Sequence, residues 1–307
     1  MASTHQGSFR LFRFSGIQVF LHWTWFLVAF YEVSTRQERY STLFWNVAEY
    51  LTLFAIVLLH EFGHALACRS VKGQADEIVL WPLGGLAYVA PPPRPGAQLW
   101  SIAAGPLVNA LLVPVVWGVV IFSRSQEWFA ASPDFAVYLR SIWYINVGLL
   151  IFNLLPIFPL DGGQILRSLL WFPLGKARSL QVATIIGFMG VAGLLVLAIL
   201  RQSLWTGIIA LFVFQQCLAN FRYAQALLRL ERAPKHDDLA CPTCHVSPPS
   251  GPVFLCGRCG TAYDPFDRHG VCPQCGTAVG GVTCPNCQTH HTLQEWGVLP
   301  AVPPDLP

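Results

Sequence analysis

The sequence LTLFAIVLLHEFGHALAC, residues 51–68, decides the fold of this chain. Most of it is apolar, yet its second half carries His60, Glu61 and His64. Two imidazoles and a carboxylate are costly inside an apolar helix, so residues of this kind indicate function. His60 and His64 are four residues apart, which places both on one helix face at a spacing that suits one metal ion. The alternative is an accidental match to the HExxH pattern, and the apolar context argues against it.

The rest of the chain is also poor in charge. Of its 307 residues, 54% are hydrophobic and 11% are charged, and the mean hydropathy is +0.49. Soluble proteins carry about 25% charged residues, so a water-soluble globule is excluded. An aromatic content of 13% excludes disorder over most of the length. The net charge of +3 excludes a strongly basic surface, and no nucleic-acid partner is expected.

Six segments are predicted to cross the membrane, because each approaches the 20 or so residues that a spanning helix needs. Two weaker candidates, 17–31 and 43–68, precede four uncharged ones at 99–122, 141–160, 180–200 and 202–221. Segment 17–31 is predicted to remain in the mature protein, since it is rich in aromatic residues and lacks a small-residue cleavage site.

The Lys and Arg residues predict the orientation. With six spans, most of them fall in segments on the same side as the N-terminus. The positive-inside rule then places both termini in the cytoplasm. A multi-pass protein of a prokaryotic cell membrane is the expected localisation.

The composition changes near Arg232, which predicts a membrane domain over 1–232 and a separate tail over 233–307. The tail holds eight of the ten cysteines, arranged as four CxxC pairs: Cys241/Cys244, Cys256/Cys259, Cys272/Cys275 and Cys284/Cys287. Two such pairs complete one tetrahedral zinc site, so two structural zinc ions are predicted. Disulfides and redox-active CxxC motifs are the alternatives, and a cytoplasmic location disfavours disulfides. The fold class is therefore an all-α polytopic membrane protein with a small β-hairpin region and a C-terminal double zinc ribbon.

The spacing of the four motifs is compatible with two pairings. Sequential pairing is preferred, in which Cys241/Cys244 joins Cys256/Cys259 and Cys272/Cys275 joins Cys284/Cys287. A nested pairing of Cys256/Cys259 with Cys272/Cys275 is also compatible with the spacing. The remaining cysteines and the tail histidines are predicted to pack or to lie on the surface, without binding metal: Cys68, Cys217, His245, His269, His290 and His291.

The HExxH motif predicts zinc chemistry. His60 and His64 are the predicted zinc ligands, and Glu61 is the predicted base, because zinc acidifies a water molecule whose proton the adjacent carboxylate can accept. Such a site needs a third protein ligand and an open position. Asp161 is the candidate, since it lies in apolar sequence just after prolines that break the helix. Its alternative role is a helix N-cap.

These motifs together resemble a known family. HEFGH at 60–64 and NLLPIFPLDGG at 153–163 are similar to the site-2 protease family of intramembrane zinc metalloproteases. Three further motifs support this resemblance: GIQVFLHWTW at 16–25, PLGGLA at 82–87 and AGPLVN at 104–109. The resemblance covers roughly residues 9–222. No connecting segment is long enough for the PDZ domain inserted in one branch of the family, so the chain resembles the compact branch.

The resemblance implies roles for individual residues. It implies His60, His64 and Asp161 as zinc ligands, Glu61 as catalytic base, and single-span membrane proteins as substrates. Asn153 is a candidate donor to the oxyanion of the tetrahedral intermediate, with helix bridging as its alternative. Many relatives have Arg where this chain has Gln164, a change expected to affect a loop contact and to leave the ligands intact.

Three other features have structural alternatives. In the resembled family, the region 74–90 forms a β-hairpin or edge that can pair with an unwound substrate, and a plain interfacial loop is the alternative. Asn109 is expected to pack between helices rather than to act in catalysis. His22 is expected to be an interfacial anchor and packing group.

The sequence thus predicts a zinc-dependent intramembrane endopeptidase. One alternative is a non-catalytic membrane adaptor that presents the zinc ribbons to a cytoplasmic protein, and the presence of all four residues His60, Glu61, His64 and Asp161 argues against it. A metal transporter is another alternative. It would need polar residues along a path across the bilayer, and the uncharged spans after Leu99 do not supply them.

Overall fold

A computed structural model of the chain describes residues 7–35, 39–81 and 84–298. The chain divides into two compact units, Met1–Phe221 and Arg222–Pro307. This division falls inside the last long helix, before the predicted boundary at residue 232. Each unit is described separately below.

The first unit is mainly helical. Its helices, including the last one that continues into the second unit, are α1 Thr24–Thr35, α2 Leu43–Ser70, α3 Pro95–Ser125, α4 Trp128–Ala131, α5 Pro133–Leu154, α6 Asp161–Leu174, α7 Lys176–Leu200 and α8 Leu204–Arg232. Among the described residues, five of these are long and apolar enough to cross a membrane, namely α2, α3, α5, α7 and α8. Within the protein, α2 is the central helix, since 44% of its most apolar window is buried against 17–22% for the other four.

Two predicted spans need correction. Residues 17–31 do not form one helix, because Ile17–His22 is a β-strand and α1 begins at Thr24. With 12 residues, α1 is about 18 Å long, which is short for a bilayer core of about 30 Å. The span predicted over 141–160 lies instead over Pro133–Leu154. It ends there because Pro156 and Pro159 cannot continue the helical hydrogen bonding.

A four-stranded sheet accompanies the helices. Its strands are β1 Ser8–Phe14, β2 Ile17–His22, β3 Gln74–Trp81 and β4 Gly84–Ala90, in the order β1-β2-β3-β4. Strands β2 and β3 are parallel, and the outer two pairs are antiparallel hairpins. The hairpin predicted within 74–90 is confirmed, so the interfacial-loop alternative is wrong. Pro82 of the predicted PLGGLA motif lies outside the described residues.

Helix α2 packs on this sheet. The core between them contains Ile17 and Val19 of β2, Ile78 of β3, and Phe62 and Ala65 of α2. Phe62 and Ala65 lie on the side of α2 that packs on the sheet. The histidines of the motif lie on the side that faces α3. Cys68 is fully buried in the same core, as the packing prediction expected.

The second unit is a small domain with two short hairpins. They are formed by β5 Phe254–Leu255 with β6 Ala262–Tyr263, and by β7 Gly281–Thr283 with β8 His290–Thr292. Phe266 and Trp296 lie at its centre, with ring centroids 5.2 Å apart, and pack on buried Cys241 and Cys284.

Candidate metal centres

Four groups of metal-ligating side chains lie within the described residues, each with its donor atoms within 4.8 Å of one another. They are His60/His64/Asp161, Cys241/Cys244/Cys284/Cys287, Cys256/Cys259/Cys272/Cys275 and His236/Asp264/Asp267. The first three contain the residues that the sequence predicts as zinc ligands.

The first cluster joins two helices that are far apart in sequence. The Nε2 atoms of His60 and His64 are 3.1 Å apart, and Asp161 Oδ2 lies 3.0 Å from the first and 3.5 Å from the second. A tetrahedral zinc site with ligand bonds of about 2.0–2.1 Å has ligand atoms about 3.3 Å apart. The two imidazoles and the carboxylate therefore have the identity and spacing of three zinc ligands.

Both imidazoles are held by hydrogen bonds on their other nitrogen. The Nδ1 of His60 donates to Asn109 Oδ1 at 2.5 Å, and the Nδ1 of His64 donates to the Ser101 carbonyl at 2.9 Å. Since Nδ1 carries the proton, Nε2 keeps a lone pair directed at the cluster. Helix α3 thus fixes the tautomer and orientation of both predicted ligands.

Asn109 is itself held by a residue that the sequence analysis did not single out. Its side-chain amide donates to Asn146 Oδ1 at 2.8 Å, and the Asn146 amide donates to the Asn109 carbonyl at 2.9 Å. Both residues are buried, Asn146 completely. The sequence predicted that Asn109 packs between helices. The structure shows that Asn109 also positions His60. The signal available for Asn146 was an asparagine inside an apolar span.

Asp161 reaches the cluster because the chain breaks before it. Helix α5 ends at Leu154 and α6 begins at Asp161, whose side chain is 15% exposed. Leu160, not Asp161, occupies the N-cap position, so the capping alternative is wrong. The break is stabilised by Gln164, whose amide donates to the Pro159 carbonyl at 2.9 Å. This is the loop contact that the sequence expected Gln164 to affect.

A glycine next to the imidazoles was also missed. A Cβ placed on Gly105 would contact His64 Nε2 and would lie 2.8 Å from His60 Nε2. Only glycine leaves room here for the two ligands beside α3.

The remaining predicted residues of the first unit lie as follows. Glu61 is 5% exposed and follows His60 on α2. Asn153 is half-buried in the last turn of α5, and its side chain makes no hydrogen bond to the described residues, so its oxyanion role stays a prediction. His22 is buried and stacks on Trp81 with ring centroids 3.8 Å apart, which makes it a packing residue of the sheet.

The cysteines form two clusters by nested pairing, so the preferred sequential pairing is wrong. The outer cluster joins Cys241/Cys244 to Cys284/Cys287, with Sγ atoms 3.7 Å apart across the pairs. The inner cluster joins Cys256/Cys259 to Cys272/Cys275, with corresponding distances of 3.6 Å. Zn–S bonds of about 2.3 Å imply Sγ atoms about 3.8 Å apart, whereas a disulfide requires about 2.05 Å. The core around Trp296 determines the pairing, because it holds both outer CxxC segments together.

All four CxxC turns share one local geometry. In each, the residue after the second cysteine has a positive φ: His245, Gly260, Gly276 and Gln288. In each, the backbone carbonyl of the first cysteine accepts a hydrogen bond from the backbone N–H of that residue, with N···O distances of 2.9–3.0 Å. Hydrogen bonds with Thr277 lower the pKa of Cys275 to about 6, which favours the thiolate that binds metal.

The tail histidines do not join either cysteine cluster. His245, His269 and His290 are exposed, as predicted. His291 is buried, which corrects its surface assignment, and its Nε2 lies 3.0 Å from Thr243 Oγ1.

The fourth group, His236/Asp264/Asp267, stabilises a loop through hydrogen bonds. Asp264 accepts the Gly251 N–H at 2.6 Å and the Phe266 N–H at 2.9 Å, and also contacts His236 at 3.0 Å. These bonds account for the buried carboxylate without a metal ion.

Comparison with known proteins gives a family match. The chain matches peptidase family M50 over residues 48–134 and 127–197. It is 33% identical over 209 residues to the zinc metalloprotease MJ0392 of Methanocaldococcus jannaschii, covering 67% of this chain and 58% of that protein. It is 30% identical over 193 residues to stage IV sporulation protein FB of Bacillus subtilis, covering 59% and 62% of the two chains.

A solved structure is also similar. The site-2 protease from Methanocaldococcus jannaschii aligns with a TM-score of 0.50 and 28% identity, over 70% of this chain and 95% of that one. The chain spans little more than half the length of the curated relatives that it matches.

Proposed function

Because the chain belongs to peptidase family M50, we propose that it is a zinc-dependent endopeptidase that cleaves single-span membrane proteins within or near the bilayer. The cluster of His60, His64 and Asp161 carries this proposal, since it joins two histidines of α2, a helix of membrane-spanning length, to an aspartate at the start of α6. Burying two imidazoles and a carboxylate in an apolar environment costs free energy, and no structural role of these side chains offsets that cost.

The donor set fits a catalytic zinc ion. Three protein ligands leave a fourth position open, as catalytic sites require. When bound, zinc supplies Lewis acidity, which polarises a carbonyl and lowers the pKa of water. His60 and His64 would hold the ion through Nε2 and Asp161 through Oδ2.

The chain's own residues then handle the proton and the substrate. Glu61 is buried one residue from His60, and its carboxylate accepts the proton of the attacking water and passes it to the leaving amine. Asn153 is our candidate for donating a hydrogen bond to the oxyanion.

A substrate helix must unwind before its peptide bonds can react, and β4 offers a place for the opened strand. Among the described strands, β4 pairs only with β3, so its outer edge is free to add a strand. Strand addition would satisfy the backbone groups that unwinding exposes.

The tail completes the proposal. We propose two structural zinc ions there, in the nested cysteine clusters, and a cytoplasmic protein partner that docks on the ribbons. Both termini in the cytoplasm of a prokaryotic cell require one crossing beyond the five long helices. Because α1 is too short to cross alone, strand β2 and α1 together would have to provide it.

The experiment that tests this function is a comparison of membrane proteomes. Cells that produce the wild-type protein are compared with cells that produce Glu61→Gln. Uncut single-span proteins should accumulate in the variant, and their cleaved fragments should appear with the wild type. Glu49→Gln is the matched control, because Glu49 is equally buried in α2 but lies outside the metal cluster. Identical proteomes for wild type and Glu61→Gln would refute the proposed activity.

A further inference from the structure

A cavity of about 300 Å³ lies between the end of α3 and the beginning of α5. Helix α3 contributes Trp117 and Arg124, and α5 contributes Arg140, Trp143 and Tyr144. The spacing within each set places its members on one face of its helix, so the two faces form opposite walls.

The cavity is remote from the catalytic cluster. Asn109, which holds His60, and Arg124 are both on α3. Their positions differ by 15 residues, which corresponds to about 22 Å along the helix. The metal cluster therefore does not account for the polar groups of the cavity.

Two of these polar groups are unpaired cations. Within the described parts of the chain, neither Arg124 nor Arg140 makes an ion pair or a side-chain hydrogen bond, and both are exposed. Asp134, in the first turn of α5, accepts a hydrogen bond from Ser41. Two guanidinium groups on facing helices match the charge and the several acceptor oxygens of a phosphate group.

A third group in the wall also lacks a partner. The indole Nε1 of Trp143 is buried and has no hydrogen-bond acceptor among the described residues. An indole N–H can only donate, and buried donors in native proteins are normally paired. Because the nitrogen itself has almost no accessible surface, the indole must turn toward the cavity before an acceptor on a bound molecule can satisfy it.

The rest of the wall is apolar and faces outward. Trp117 is 47% exposed and Tyr144 is 62% exposed, and each belongs to a helix of membrane-spanning length. Arg124 is in the last turn of α3, where a spanning helix reaches the headgroups, and Arg140 of α5 lines the same cavity. The cavity thus combines an anion-binding end with an apolar side open to the lipid.

We propose that this cavity binds the phosphate headgroup of a membrane lipid. Arg124 and Arg140 hold the phosphate oxygens, Trp143 donates to one of the lipid's oxygens, and an acyl chain lies along Trp117 and Tyr144. Free inorganic phosphate offers the same charge, but it would leave the aromatic wall without a partner. The apolar side therefore favours a lipid.

Native mass spectrometry of the full chain in detergent tests this site. The protein is titrated with phosphatidylglycerol, with diacylglycerol, which lacks the phosphate, and with inorganic phosphate. We expect a saturable one-to-one adduct with phosphatidylglycerol only. Equal binding of diacylglycerol, or saturable binding of inorganic phosphate at concentrations where the lipid does not bind, would overturn the proposal.

Variants separate a built site from a general attraction of arginine to headgroups. The double change Arg124→Gln and Arg140→Gln removes both charge-assisted hydrogen bonds and should weaken lipid binding about tenfold or more. Trp143→Phe keeps the ring, removes the N–H, and should weaken binding by a smaller factor. Arg201→Gln is the matched control, since Arg201 is an exposed arginine at the end of α7, outside the cavity.

The lipid site is supported if the double variant and Trp143→Phe lose affinity while Arg201→Gln keeps the wild-type value. It is refuted if all three variants match the wild type, or if Arg201→Gln loses as much as the double variant. Zinc content and the thermal unfolding temperature of each variant confirm that the fold is intact.

Discussion

At the scale of single residues, the cluster around His60 shows which residues of the site the HExxH motif predicts and which it does not. The HExxH spacing predicts His60 and His64 as ligands, because helix periodicity fixes their relative position. It does not predict Asn109, which reaches His60 from α3, or Asn146, which holds Asn109 from α5. Contacts between helices depend on how the helices pack, and a pattern within one helix carries no information about that.

Asp161→Ala should remove one zinc ion. The carboxylate completes the set of three ligands, so we expect the zinc content of the full chain to fall from three ions to two and cleavage to stop. Metal analysis of the purified protein measures the first effect. Asp76→Ala is the control, since Asp76 is 78% exposed on β3, and it should keep all three ions. Full zinc content in Asp161→Ala would place the third ligand elsewhere.

Asn109→Ala should weaken the catalytic site without removing a ligand. Loss of the hydrogen bond to His60 Nδ1 frees the ring to rotate and to change tautomer. Residues that orient metal-binding histidines typically contribute about 10- to 100-fold to metal affinity. Competition with a chelator measures the change. Asn220→Ala is the comparison, because the side chain of Asn220, within the described part of the chain, bonds only Gln216 of its own helix. An equal effect there would show that Asn109 has no special role.

Gly105→Ala should disrupt the same site by steric contact. The added methyl group would press on both imidazoles, so we expect loss of catalytic zinc and of cleavage. Gly118→Ala on the same helix has no atom within 4 Å of the new Cβ and should retain both, with a gain in helix stability of up to about 1 kcal/mol. If Gly105→Ala retains its zinc and activity, the imidazoles do not lie against α3 as described.

At the scale of elements, long features were predictable and short ones were not. The spans of α2, α3, α7 and α8 follow from apolar length alone. Strands β1 and β2 were missed because they are 7 and 6 residues long and lie in a segment rich in apolar residues. The sequence signal for the turn between them was the pair Ser15-Gly16. Both residues adopt a positive φ, as a tight hairpin turn requires.

The cysteine pairing depends on tertiary packing. Each CxxC turn is locally the same, so spacing allowed both pairings. The buried contacts of Trp296 and Phe266 with Cys241 and Cys284 select the nested arrangement. Sequence alone does not show which turns a distant tryptophan will hold together.

Double cysteine variants distinguish the two pairings. Cys244→Ala with Cys287→Ala removes ligands from one nested cluster and should cost one zinc ion. Cys244→Ala with Cys259→Ala removes a ligand from each cluster and should cost two. Sequential pairing gives the reverse result, so metal analysis of these two proteins decides between them.

At the scale of the whole molecule, the candidate catalytic residues and the cysteine clusters lie in different units. Residues proposed for chemistry all belong to Met1–Phe221, and the cysteine clusters all belong to Arg222–Pro307. The thiol clusters would stabilise a domain whose own apolar core is small. We propose that this domain recruits a partner and modulates access of substrates to the membrane unit.

Deleting the tail after Arg232 should leave the catalytic zinc in place. Cleavage of a single-span reporter should persist, with a changed rate or a changed choice of substrate. The purified truncated protein should contain one zinc ion, because the remaining described ligands form one cluster. Loss of that ion on truncation would contradict the division of labour.

The most direct test of the central claim measures zinc and cleavage together in purified, full-length Glu61→Gln. The amide cannot accept a proton, while His60, His64 and Asp161 remain unchanged. We expect three zinc ions per chain, as in the wild type, and loss of cleavage of a single-span reporter by about 100-fold or more, the typical contribution of a general base. Wild-type cleavage by a variant with full zinc content would contradict the assignment of Glu61 and the proposed mechanism.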